Sequence, residues 1–105
     1  MQAKAWAINV SKILKKFYPD AIIILFGSRA RGDNLIDSDY DIIVVSKLFE
    51  NVMFTDRATS VLKILWRHGV REAIDVICYT PEEFEKKKKE ISIVNEAIRE
   101  GIIIP

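Results

Sequence analysis

One cysteine, Cys78, stands among 105 residues, so no internal disulfide can form and the fold must rest on a packed core. Three prolines and four glycines leave no stretch that reads as a linker, and no repeat or second domain is visible. An excess of one charge is also missing. Sixteen Lys and Arg stand against fifteen Asp and Glu, a net +1, so composition builds no electrostatic track and direct nucleic-acid binding is not expected. No apolar run approaches the roughly 18 residues of a membrane span. The amino-terminal segment, carrying Lys4, Lys12, Lys15 and Lys16, reads as an amphipathic helix, not a secretory signal. These absences predict a single domain over 1–105 in the cytoplasm, away from membranes, with 50% hydrophobic residues to fill one core.

What the chain does have is concentrated between residues 21 and 41. Ala21 to Phe26 reads as a buried strand, rich in β-branched residues and bounded by Pro19-Asp20 and Gly27. Ile42 to Val45 reads the same way. Buried strands imply a sheet covered on both faces, and the loop leaving the first can meet the residues that start the second at one edge. Asp39 and Asp41 precede the second run. Alternation along a strand points both carboxylates to one side, roughly 7 Å apart, and turns Tyr40 away. Like charges at an apolar sheet edge repel, and a divalent cation relieves them. Magnesium takes oxygen ligands, commonly one or two carboxylates with substrate phosphates. A third acid, Asp75, interrupts the strand-like run Ala73 to Tyr79. A lone charge buried in mid-strand needs a partner, and a metal shared with Asp39 and Asp41 supplies one.

The other end of the motif suits phosphate. Ser28 caps a short helical turn over Arg29 to Arg31, and such a turn aims unpaired amides outward. Gly27 permits close approach or a positive φ, and Gly32 can end the turn. Arg29 and Arg31 offer guanidinium forks, of which one need face the ligand. Ser38 either donates to the same phosphates or caps the turn. Plainer readings stand beside these: strand-end polar residues for the aspartates, an ordinary turn for Gly27-Ser28, solvent for either arginine. Two competing phosphate motifs fail. A Walker loop needs lysine where Asp33 stands, and a dinucleotide fingerprint needs glycines two apart, which the chain lacks.

The run Leu25-Phe26-Gly27-Ser28-Arg29-Ala30-Arg31-Gly32, followed by Ser38-Asp39-Tyr40-Asp41, resembles the signature of the DNA polymerase β-type nucleotidyltransferase superfamily. The short chain is similar to its minimal nucleotidyltransferases. Asp75 matches the third acidic position, and Tyr79 to Glu85 is similar to the segment after the third strand in members. The resemblance implies an α/β (α+β) fold, a small mixed sheet with helices packed on it. It implies Mg-dependent transfer of a nucleoside monophosphate, AMP from ATP, with two Mg2+ ions bridging the three carboxylates and the triphosphate. In such a two-metal site Asp39 and Asp41 hold both ions. Asp75 holds the ion that activates the acceptor and can accept its proton. Gly27, Ser28, Arg31 and Ser38 would bind the nucleotide. Many minimal nucleotidyltransferases pair with a helical HEPN-domain toxin and act as its antitoxin, which implies a protein acceptor and a hetero-oligomer. The alternatives are a module that neutralises a HEPN partner by contact alone, or transfer to a small molecule; these 105 residues hold no second domain to enclose the latter.

The remainder reads as scaffold. Trp6, Val10, Ile13, Leu14 and Phe17 recur at helical spacing, as do Ala58, Val61, Leu62 and Leu65 before Gly69. Thr80-Pro81-Glu82-Glu83 is a capping box with proline at the first helical position. The helix it starts is expected to run to about Arg99 on a stripe of Phe84, Ile91, Val94 and Ile98. Lys86 to Lys89 reads as a solvated face, His68 as a surface residue at a helix end, Cys78 as a strand hydrophobe, and Trp66 as core edge or interface anchor. Gly101-Ile102-Ile103-Ile104 must either add to a sheet or meet another chain, and a partner or self-association contact is expected there or on the adjoining helix face.

Overall fold

A computed structural model describes residues 2–27, 40–90, 95 and 99–105. The chain opens with helix α1 (Gln2–Lys15) and strand β1 (Ile22–Phe26), and β2 (Tyr40–Val45) pairs antiparallel with β1. A 3-10 turn (Lys47–Phe49) and α2 (Phe54–Arg67) then lead to β3 (Ile74–Tyr79), which lies parallel to β2. Parallel neighbours need such a crossover. After α3 (Pro81–Lys88), strand β4 (Ile102–Ile104) joins antiparallel to β1, so the sheet order is β3-β2-β1-β4. The expected mixed sheet with helices on it is the observed architecture.

The sheet divides the core in two. Ile23, Leu25, Ile42, Val44, Cys78 and Ile104 face α1 and α2, where Val10, Leu14, Val61 and Leu65 meet them. The alternate residues Ile24, Phe26, Ile43, Val45 and Tyr79 face Phe84 of α3. Central β2 is buried on both sides, as its unbroken apolar run predicts. Each of its fully buried aliphatic side chains contributes about 1.5–3 kcal/mol.

Helix ends follow local chemistry. Gly69 adopts φ +90° after α2, and the amides of Gly69 and Val70 return to the carbonyls of Trp66 and Leu65 at 3.1 and 3.0 Å, a Schellman closure. Thr80 and Glu83 complete the capping box of α3. That helix stops at Lys88, short of the expected Arg99. Successive cations crowd its last turn, where they suit the negative dipole end, and the backbone tightens into i→i+3 bonds from Lys89 and Glu90. Ile91, Val94 and Ile98 lie outside the described residues. Phe17 lies past the end of α1 and is 44% exposed, its ring edge-on to His68; the helical stripe does not extend to it. Leu62 is also exposed, because it sits one position round from the buried Val61.

The carboxyl-terminal isoleucines take the sheet alternative. Ile104 is buried, and Ser11 of α1 donates to the Pro105 carbonyl at 2.7 Å. The far ends of β2 and β3 are tied by polar contacts. Buried Arg57 donates to the carbonyls of Val52 and Cys78 and forms a 2.6 Å ion pair with Glu83. Asp20 accepts from Ser46 Oγ and the Lys47 amide at 2.6 and 2.7 Å.

Candidate active site

The site is built where β1 ends and β2 and β3 begin. The antiparallel register sets Phe26 opposite Asp41, and the parallel register sets Asp41 beside Asp75. Residues at adjacent register positions share a face. Both carboxylates therefore rise on the α3 side of the sheet, on the face of Phe26, Ile43 and Ile77. Adjacent strands lie about 4.8 Å apart. Two unit charges at that spacing repel by about 1 kcal/mol at the dielectric of water and about 3 kcal/mol at an effective value of 20.

Gly27 closes the other side of Asp41. Its φ is +76°, a conformation that side chains resist. A Cβ there would overlap the Asp41 carboxylate oxygen and lie 3.2 Å from its Cγ. The turn after β1 thus brings bare backbone against a carboxylate, leaving room that any other residue would fill.

Tyr40 turns to the opposite face, as alternation predicts. Its ring is buried and stacks on Trp6 of α1 with centroids 3.7 Å apart and planes 12° from parallel. The Tyr40 amide donates to the Ala73 carbonyl at 3.0 Å, which binds the start of β2 to the approach of β3. Aromatic packing therefore holds the backbone beneath Asp41 from behind. The Trp6 part of this support was legible only as a residue on an apolar helix face. Among the described residues its Nε1 is buried without a hydrogen-bond partner, so packing sets the ring's orientation.

Of the predicted site residues, Gly27, Asp41 and Asp75 are brought together. Ser28, Arg29, Arg31, Ser38 and Asp39 lie outside the described residues. One expectation is corrected. Asp75 is exposed, not a charge buried in mid-strand, because it is the second residue of an edge strand and the sheet ends beside it. The register places it beside Asp41 at the sheet edge, and not in a buried mid-strand position.

Carboxylate oxygens are the donors a hard divalent cation requires, and Asp41 with Asp75 supply two adjacent ones. Among the described residues no group of three acidic, histidine or cysteine side chains forms a metal cluster; Asp39, the expected third ligand, is not among them. The arrangement fits a cation held at the sheet edge beside an open glycine turn.

Comparison with known proteins bears on the family and the fold. A family model described as a nucleotidyltransferase domain matches residues 8–100. A Sulfolobus solfataricus crystal structure assigned as a nucleotidyltransferase superposes with a TM-score of 0.65 at 24% identity, covering 97% of this chain and 78% of that one. A second structure with the same assignment gives a TM-score of 0.53 at 28% identity, covering 77% of this chain and 85% of the other. No match to a curated protein is found. With the family match spanning all but the ends of the chain, and with the glycine turn and paired aspartates inside it, this protein belongs to the nucleotidyltransferase domain family.

Proposed function

We propose that this chain transfers AMP from ATP, with Mg2+, to a hydroxyl on a protein acceptor, a HEPN-domain toxin for which it serves as antitoxin. The observation that carries the transfer chemistry is the register of Asp41 with Asp75 beside the positive-φ Gly27. The acceptor and the antitoxin role rest on the resemblance to minimal nucleotidyltransferases.

Asp39, Asp41 and Asp75 would hold the metal, which supplies charge neutralisation for the triphosphate and activation of the acceptor hydroxyl. Gly27 and Ser28 would present backbone amides to the phosphates, and Arg31 and Ser38 would add donors. The acceptor oxygen attacks the α-phosphorus. A new O–P bond forms as the bond from that phosphorus to its leaving oxygen breaks, pyrophosphate departs, and the hydroxyl proton passes to Asp75.

The test is transfer of label from α-labelled ATP with magnesium to protein in a lysate of the source organism, or to the neighbouring operon product. Wild type is compared with Asp41→Asn and Asp75→Asn, with circular dichroism reporting the fold. Label on the partner with wild type alone, and at least about 1,000-fold less with either variant, is the expected result. Wild-type turnover by Asp75→Asn sinks the three-carboxylate assignment. Tight partner binding without label from any form favours neutralisation by contact.

A further inference from the structure

We propose that the groove between α2 and the turn before β3 docks an acidic segment of a partner protein that carries apolar side chains. Helix α2 turns Val61 and Leu65 into the sheet. Leu62 and Trp66, each one residue further on and so about 100° round the helix, form a second apolar face; Trp66 is 62% exposed. Together with Leu65, Val70 and Ile74 they line a groove of about 510 Å³. Exposed apolar surface in a concavity is what a partner's side chains fill.

Charge selects the occupant. Lys63, Arg67 and Arg71 line the groove against a single acid, Glu72, in a protein whose net charge is only +1. Lys63 and Arg67 are i and i+4 on α2, where like charges repel. No ion pair relieves either of them among the described residues. Carboxylates on a docked segment relieve that repulsion while its apolar side chains bury Leu62 and Trp66. The Arg71 guanidinium lies over the Trp66 ring, 4.5 Å from its centroid, and donates to the Trp66 carbonyl. This fixes an aromatic anchor before binding, which lowers the ordering cost.

The same geometry disfavours a nucleic acid. Trp66 is the one aromatic among the residues that line it, and Arg71 lies over that ring, so successive bases find no row of stacking platforms. The groove also reaches Ile74, whose neighbour Asp75 stands on the opposite face of the edge strand. The docking surface stands whether or not the bound protein is also the acceptor.

The test places a benzophenone amino acid at Leu62 in the full chain, expressed in its own cells, with the same probe at Lys47 as control. Ultraviolet adducts are mapped by mass spectrometry. The expected adduct is one protein, linked within a stretch that holds at least two carboxylates and apolar residues. With that protein purified, the double variant Lys63→Glu/Arg67→Glu and the single variant Trp66→Ala should each weaken binding at least about tenfold. Lys47→Glu and Asp41→Asn should leave binding unchanged, which separates docking from transfer. Lys63 and Arg67 are exposed, so their reversal does not touch the core. Adducts only to nucleic acid or to a second copy of this chain overturn the proposal. So does labelling no greater than at Lys47, or a partner indifferent to the Lys63→Glu/Arg67→Glu reversal.

Discussion

The Asp41 carboxylate occupies the space that a side chain on Gly27 would need. Backbone conformation at the end of one strand and carboxylate position at the start of the next are therefore one constraint. Gly27→Ala forces both a strained φ and a displaced Asp41, so it should lower transfer about 100-fold, the scale of a 1 Å misplacement at a reacting centre. Its stability cost should be only about 1–3 kcal/mol. Kinetics alongside urea unfolding check this; full activity in Gly27→Ala would mean that the Asp41 position is not critical.

Trp6 and Tyr40 predict a graded response. Trp6→Ala removes one half of the stack and should cost about 3 kcal/mol, the low end for an aromatic truncation because the residue is only half-buried. Trp6→Phe keeps a ring against Tyr40 and deletes an Nε1 that has no hydrogen-bond partner among the described residues, so its cost should stay below about 1.5 kcal/mol. Chemical denaturation of the two variants decides; equal losses would show that ring stacking is not what holds this corner.

Glu83 makes stability depend on pH. The hydrogen bond from Arg57 holds the Glu83 carboxyl below its ordinary 4.5, helped by the capping-box contacts at Thr80 and opposed by burial. A depressed value means that the unfolded chain takes up the proton first as pH falls. The stabilisation is thus complete above about 4.5 and lost as pH falls through the folded-state value. Glu83→Gln should cost about 1 kcal/mol at pH 7, modest because the carboxylate is partly exposed. It should also flatten the decline in stability below pH 4.5. Urea midpoints across that range report the difference, and parallel curves for the two proteins would remove Glu83 as the cause.

Cys78 should be inert in the native protein. Its side chain is buried, and burial pushes the thiol up to about 12, with Arg57 acting in the opposite direction. The thiolate is the reactive form. At pH 8 a disulfide reagent should therefore modify native protein at least about 1,000-fold more slowly than urea-unfolded protein. Rapid modification without unfolding would place Cys78 at an opening not present in this fold.

Legibility tracked the range of the interaction involved. Short-range signals held: the Thr80 capping box, the Gly69 helix end, and the outward turn of Tyr40 from the face of Asp41. Each depends on covalent geometry and neighbours within a few residues. The length of α3 could not be read from its start, since the cap sets where a helix begins while later packing sets how far it continues. Arg57 carried no readable signal. Its partners Cys78 and Glu83 are more than twenty positions away, and a single arginine on an amphipathic helix looks solvated.

By itself the sequence determined that one strand would end at Gly27, that a second would run through Ile42 to Val45, and that Tyr40 would turn to the face opposite Asp41. It also joined Asp75 to Asp39 and Asp41, by a burial argument that the exposed position of Asp75 removes and by resemblance. Tertiary structure decided that Asp75 meets Asp41 in parallel register on an exposed edge, that Ile102–Ile104 closes the other edge against β1, and that Trp66 is left facing a basic groove. Strand alternation is a property of one backbone. Which strands become neighbours, and which faces remain uncovered, depends on how all the apolar surfaces are buried together.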